Sequence, residues 1–302
     1  MTVAYRPAEE RDVPAMSAVI AAAQNDLHAR HGYQDQHMDP DAAITSIGFL
    51  VRSQPAGCFV AEDGGVLAGI GCAWVLGAFW YLADLFVEPA CQGQGVGREL
   101  LARTLAYRPD GPPANRALIT FAYNRVSTSL YAKHGMYPRE PLYVMSCDSA
   151  RITSVQRAPA EPPVELTAAG GDAIPAFRRI DEAVLGYTRD EHHAFWRSMP
   201  GMRCEALRHD GRIAGYAYVW ENGRVGPLAV EDPALLEPFL EAVVRIAAAR
   251  GEPVTLMAPG ANARAMDVAM RYGFRIELPL VVLATEPFGR WEAYLPSSPG
   301  LL

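Results

Sequence analysis

The chain has 302 residues, with 27 Lys and Arg against 34 Asp and Glu, a net charge of −7 and an isoelectric point near 5.5. Half of the residues are apolar, which excludes an extensively disordered chain, and the acidic balance supplies no basic face for nucleic acid. No opening stretch joins a basic start to an apolar run, and no apolar run nears ~18 residues, so the expectation is a cytoplasmic protein of about two domains with no membrane partner.

In chain order, Val3 to Arg6 reads as a strand, Val13 to Arg30 and Asp41 to Ser53 as helices, and the segments near Phe59, Ala68 and Leu82 as strands. Asp63-Gly64-Gly65 marks a hairpin turn between the first two of these. Trp74, Trp80 and Tyr81 flank the third and are expected in the core. The stretch from Leu85-Phe86-Val87 to Gln92-Gly93-Gln94-Gly95-Val96-Gly97-Arg98 then reads as strand, glycine-rich loop and helix start, the helix running from about Gly95 to Tyr107. Glycines let the backbone turn tightly and approach a ligand, and amides at a helix N-terminus have no internal partner, so this loop suits a phosphate. A Walker loop would end Gly-Lys-Ser/Thr, and a dinucleotide fingerprint would place its third glycine one residue later; neither fits.

After an apolar strand around Leu118 comes Asn124 to Gly135, read as a helix carrying Leu130 and Tyr131 and closed by Gly135. A hairpin around Tyr143 is expected next. Ser149 to Pro163 is polar and proline-bearing, a linker. The same plan then recurs. Leu67-Ala68-Gly69 returns as Ile213-Ala214-Gly215, Leu85-Phe86-Val87-Glu88 as Leu228-Ala229-Val230-Glu231, and Asn124–Gly135 as Asn262–Gly273, at offsets shrinking from 146 to 143 to 138 residues. The division expected is residues 1–148, the linker 149–163, and residues 164–302. In the second copy Asp232 and its neighbours replace the glycines and Ala269 stands where Tyr131 does, so that copy is expected to bind no phosphate ligand and to shape or close the acceptor site.

Five cysteines without a C-x-x-C pair read as reduced thiols, and no metal is expected. His28 and His31 have helical spacing but no evident third ligand. His28, His31 and His37 are read as polar loop residues, with a proton-accepting role as the alternative. His192-His193 is read as surface or interdomain contact.

The Q-x-x-G-x-G loop after a Leu-Phe-Val strand, followed at the right distance by the Asn124-to-Tyr131 block, resembles the GNAT acetyltransferase superfamily. The duplication is similar to that of mycothiol synthases, but with the intact motif in the N-terminal half. The resemblance implies an α/β (α+β) fold of two tandem GNAT-type domains, each a twisted, mostly antiparallel sheet with flanking helices and splayed fourth and fifth strands. It implies acetyl-CoA as cosubstrate, held by Leu85, Phe86, Val87, Gln92, Gly93, Gln94, Gly95, Val96, Gly97, Arg98, Asn124 and Tyr131, and transfer to a primary amine of a small molecule. Asp84 would take the amine proton, the Val87 amide would hold the oxyanion and Tyr131 would protonate the thiolate. The alternative is a non-catalytic acyl-CoA-binding or sensing protein. A monomer or homodimer is expected.

Overall fold

The computed structural model describes residues 3–109, 111–155 and 164–302. Two compact units divide the chain, Met1–Tyr137 with Leu283–Glu286, and Pro138–Val282 with Pro287–Leu302.

In the first unit the order is β1 (Ala4–Pro7), α1 (Val13–Arg30), α2 (Ile44–Ser53), β2 (Cys58–Asp63), β3 (Val66–Leu76), β4 (Phe79–Val87), α3 (Val96–Ala106), β5 (Asn115–Phe121) and α4 (Arg125–Ala132). Strands β1 to β4 pair antiparallel in sequence order, and β5 runs parallel to β4. Helices cover both faces of β3, so Leu67 to Trp74 is buried without alternation. Gly69 and Gly71 let α3 lie close: a Cβ on either would stand 3.0–3.2 Å from Leu100 or Thr104. Trp74, Trp80 and Tyr81 are core residues as expected. Residues 283–286 lie against the start of β5, where the Thr285 amide donates to Arg116 O at 2.9 Å.

The second unit contains β6 (Tyr137–Cys147, from Pro138 on), α5 (Ser149–Ser154), β7 (Glu165–Ala168), α6 (Ile174–Leu185), α7 (Asp190–Ser198), β8 (Arg203–His209), β9 (Arg212–Val219), β10 (Arg224–Val230), α8 (Leu236–Ala248), β11 (Val254–Pro259), α9 (Ala263–Tyr272), most of β12 (Arg275–Ala284) and β13 (Tyr294–Leu295). From β7 to β12 this order repeats that of β1 to β6. Three expectations are corrected here. The hairpin around Tyr143 is one eleven-residue strand, β6, fixed by six antiparallel partners on β11. The first part of the linker is the short helix α5, whose Arg151 Nε donates to Tyr272 O at 3.2 Å; residues 156–163 lie outside the described residues. His192 and His193 lie on α7 and are buried, not at the surface. Among the described residues, no helix is long and apolar enough to cross a membrane, and no cluster of three His, Cys, Asp or Glu is placed to hold a metal ion.

Candidate active site

The glycine-rich loop joins β4 to α3. Gly93 and Gly95 have φ of +78° and +89°, and a Cβ at either would meet open space. Backbone conformation, not crowding, therefore requires glycine at these two positions. Gly97 is helical, and its missing Cβ would lie 3.3 Å from Val87 Cγ2, which seats the first turn of α3 close to β4. The amides of residues 93–97 find no acceptor among the described residues, whereas those of Arg98 and Glu99 both reach Gly95 O at 3.1 Å. Five unpaired amides at the start of an eleven-residue helix form a site for an anion. Gln94 Nε2 donates to Ala90 O at 3.2 Å and Gln92 Nε2 to Val87 O at 3.1 Å, so both glutamines brace the loop. Arg30 reaches Gln92 Oε1 at 3.4 Å, and Arg98 is exposed at the mouth.

Strands β4 and β5 are paired only from Phe79–Asn115 to Leu82–Leu118, then part. Beyond that point Glu88 N donates back to Ala68 O at 3.0 Å. Hydrogen-bonded and outward positions alternate along an antiparallel pair, so Val87 turns its N–H and C=O away from β3. Gln92 takes the carbonyl. The Val87 amide is left facing the parting, with Leu85 in the same backbone orientation and Phe86 turned back on β3.

A β-bulge decides where Asp84 points. Asp84 pairs with Cys72, but Leu82 pairs with Ala73, so Ala83 is an extra residue. Trp80 faces α3, its Nε1 donating to Thr104 O at 3.0 Å, and Leu85 and Val87 pack against the cluster that Val96 and Leu100 of the same helix form with Ala61 and Ala68. Positions 80 and 85 share a face only because of the bulge. Asp84 is thereby turned to the opposite face. Its carboxyl keeps some solvent contact but is enclosed on the wider scale that governs desolvation, and burial pushes it up to about 7. Tyr131, 4% exposed on α4, lies close enough to feel that carboxylate. Burial raises its phenol most, the Asp84 charge raises it further and a hydrogen bond with Ser127 opposes both. The phenol therefore stays protonated at neutral pH. Asn124 caps α4, its Oδ1 accepting from Ser127 N at 3.1 Å. Its amide NH₂ is the part left for a ligand.

The second unit carries the same frame with a different content. Glu231 N donates to Ala214 O at 2.9 Å, the counterpart of the Glu88 bond, and β10 and β11 pair in parallel only at Arg224–Thr255 and Val225–Leu256. Past these pairs, however, β13 is hydrogen-bonded to β10, Leu295 opposite Leu228 and Tyr294 opposite Ala229. The parting is filled by the chain itself. Asp232 caps Ala234 N at 2.9 Å, Glu231 binds Arg179 and Arg212, and Asn262 Nδ2 donates to Trp291 O at 2.9 Å. Tyr294 is held by the fully buried Arg189, which pairs with Asp181 at 2.9 Å, donates to Tyr294 Oη at 2.7 Å and also reaches Leu302 O. Pro227 and Ala269 occupy the places of Asp84 and Tyr131.

His28 is a buried residue in the last turn of α1 rather than a loop residue, while His31 and His37 are exposed. Sequence reading missed the bulge at Ala83, the brace from Gln92 to Val87, and β13. A two-residue strand with no pattern of its own leaves no local signal, and a bulge appears only once the partner's register is known.

Residues 20–136 match the Acetyltransferase (GNAT) family model, so this stretch is a domain of the GNAT superfamily. Along the chain as a whole the fold is that of GNAT proteins. The structure superposes on an acetyltransferase provisionally assigned in Pyrococcus horikoshii with a TM-score of 0.78, at 16% identity over 99% of this chain and 95% of that one. A tandem GNAT protein of the clavulanic acid biosynthesis pathway gives 0.61, at 16% identity over 95% and 99%. In sequence, the chain is 29% identical over 137 residues to YwnH of Bacillus subtilis (strain 168), a protein provisionally named for phosphinothricin acetylation, a match covering 43% of this chain and 81% of YwnH.

Proposed function

We propose that the protein is an N-acetyltransferase that moves an acetyl group from acetyl-CoA to a primary amine, with donor and chemistry in the first unit. The observation that carries this reading is the bulge at Ala83, which turns Asp84 away from α3, within electrostatic range of Tyr131. The donor's diphosphate suits the five unpaired amides of the loop, and its extended arm suits the unpaired edge of β4 from Leu85 to Val87. When bound, acetyl-CoA supplies an acetyl group activated on sulfur. The Val87 N–H is placed to hold a thioester oxygen as charge develops on it. Asp84, titrating near neutrality, accepts the proton that the amine nitrogen must lose. Tyr131 directs its O–H to the departing sulfur.

In the second unit β13 fills the parting, and no carboxyl or phenol stands at the corresponding positions. One donor site per chain is the expectation. YwnH's name makes phosphinothricin a first acceptor to try, beside simple amines. The test is calorimetric titration with acetyl-CoA followed by thiol release over an amine panel. Binding with a stoichiometry of one and amine-dependent release support the reading; binding without release for any amine favours an acyl-CoA-binding protein.

A further inference from the structure

His28 holds a polar atom that the fold leaves unused. Its Nδ1 lies 2.7 Å from Gln36 O, and since a carbonyl only accepts, Nδ1 must carry the proton. Nε2 is then a bare lone pair. It is buried and has no partner among the described residues, in a residue only 1% exposed, and the neighbouring Tyr123 hydroxyl is likewise buried without a partner among them. A buried polar atom left unpaired is costly, so its persistence calls for an occupant.

The register shows which face this atom serves. Ala117 of β5 pairs with Tyr81, which points away from the α3 side that Trp80 occupies. Alternation carries Ile119 and Phe121 to Tyr81's face. His28 packs edge-on against Phe121, with ring centroids 4.9 Å apart, while Tyr33 and His31 stack on Tyr123 at 4.8 and 5.0 Å. The bulge turns Asp84 to the same face. One proton-accepting carboxyl and one unpaired nitrogen thus line one side of the parted strands.

We propose that His28 orients the acceptor, its Nε2 accepting a hydrogen bond from an N–H of the amine on the Asp84 face. The proposal rests on the acetyl-transfer reading above. An attacking amine must aim its lone pair at the acetyl carbon, and an acceptor fixed on one of its N–H bonds limits how it can turn. Division of labour follows from the surroundings. Burial, opposed by the Gln36 carbonyl and the Asp35 charge, holds His28 below its usual range, so it stays neutral and keeps its lone pair while Asp84 takes the proton. Nε2 is buried, so the amine reaches it only when the side chains around it give way.

The test uses the full chain with ¹⁵N-labelled histidine, with acetyl-CoA and benzylamine as probes. The His28 Nε2 resonance is expected at the position of an unprotonated nitrogen, unmoved by acetyl-CoA and shifted when benzylamine is added to the loaded protein. His28→Ala is expected to raise the KM for benzylamine about tenfold, the worth of one ordinary hydrogen bond, with acetyl-CoA affinity unchanged. His28→Gln, which returns an acceptor near the Nε2 position, recovers most of the loss. A resonance that benzylamine leaves in place, as a structural water would, overturns the proposal. So does an unchanged KM in His28→Ala. If thiol release fails for the native chain, the transfer reading falls, and the resonance still decides whether His28 meets an amine. The native chain and His28→Gln keep the test open if His28→Ala does not fold.

Discussion

In the proposed reaction Asp84 and Tyr131 draw two different tasks from one environment. Burial raises both groups, but it brings a carboxyl from far below neutrality to about 7, where it exchanges protons readily, and keeps a phenol protonated. Acetylation should therefore rise with pH through a limb near 7, and Asp84→Asn should remove the limb and lower kcat/KM by about 10²–10⁴-fold, read from thiol release across pH 5–9. The same shift has a stability consequence of opposite sense. A carboxyl whose folded pKa lies above its unfolded value favours folding only while protonated, so stability falls as pH rises from about 4 to about 7. Asp84→Asn should thus raise Tm at pH 8 relative to the native chain while leaving it nearly unchanged at pH 4; a drop at pH 8 would mean that the ionised carboxylate has a structural partner. Tyr131→Phe should lower turnover and leave acetyl-CoA affinity intact, which calorimetry and thiol release separate.

At the scale of elements, the loop, the bulge and the parting act together on a few backbone groups. Gly95→Ala keeps the side chain small yet forces a residue with a Cβ into φ of +89°, at a cost of about 1 kcal/mol or more. The loop should relax away from that conformation and acetyl-CoA affinity should fall at least tenfold, measured by titration calorimetry. Nothing of comparable size is expected from Gly64→Ala, another left-handed glycine but in the turn between β2 and β3, remote in sequence from the loop. The loop was legible in the sequence because glycines, their spacing and the flanking apolar runs are local signals. The face on which Asp84 projects was not. Alternation counted from Trp80 places residue 84 toward α3, and only the partner register on β3 reveals the extra residue that reverses it.

On the scale of the whole molecule, two repeats with the same order of elements, β1 to β6 and β7 to β12, carry different contents at the same point. In the first, the outward edge of β4 beyond Leu82 has no strand partner on its parting side among the described residues; in the second, β13 supplies one to β10. Backbone amides of Leu228 and Ala229 should accordingly exchange slowly with and without acetyl-CoA, and those of Leu85 and Val87, which face away from β3, should exchange quickly until acetyl-CoA is added. Rapid exchange in both segments of the free chain would contradict the filled parting. The seal in the second unit also rests on a buried ion pair. Burial alone would push the Asp181 carboxyl up, but the Arg189 guanidinium and His193 outweigh it and hold it well below the carboxylate range. Arg189→Met would leave that charge without its partner and cost about 3–5 kcal/mol, seen as a loss of stability in denaturant unfolding.

The sequence by itself determined the phosphate-type loop, the order of elements, their repetition, and the loss of glycines and tyrosine from the second copy. Each of these is written in residue type and spacing along a continuous stretch. Tertiary structure alone decided which face Asp84 occupies, that Val87 keeps an unpaired amide because Gln92 takes its carbonyl, that His28 holds a buried lone pair, and that Tyr294–Leu295 fills the second parting. These depend on the register and approach of segments up to some tens of residues apart, and no local pattern of side chains encodes which backbone groups are left over once the strands have paired.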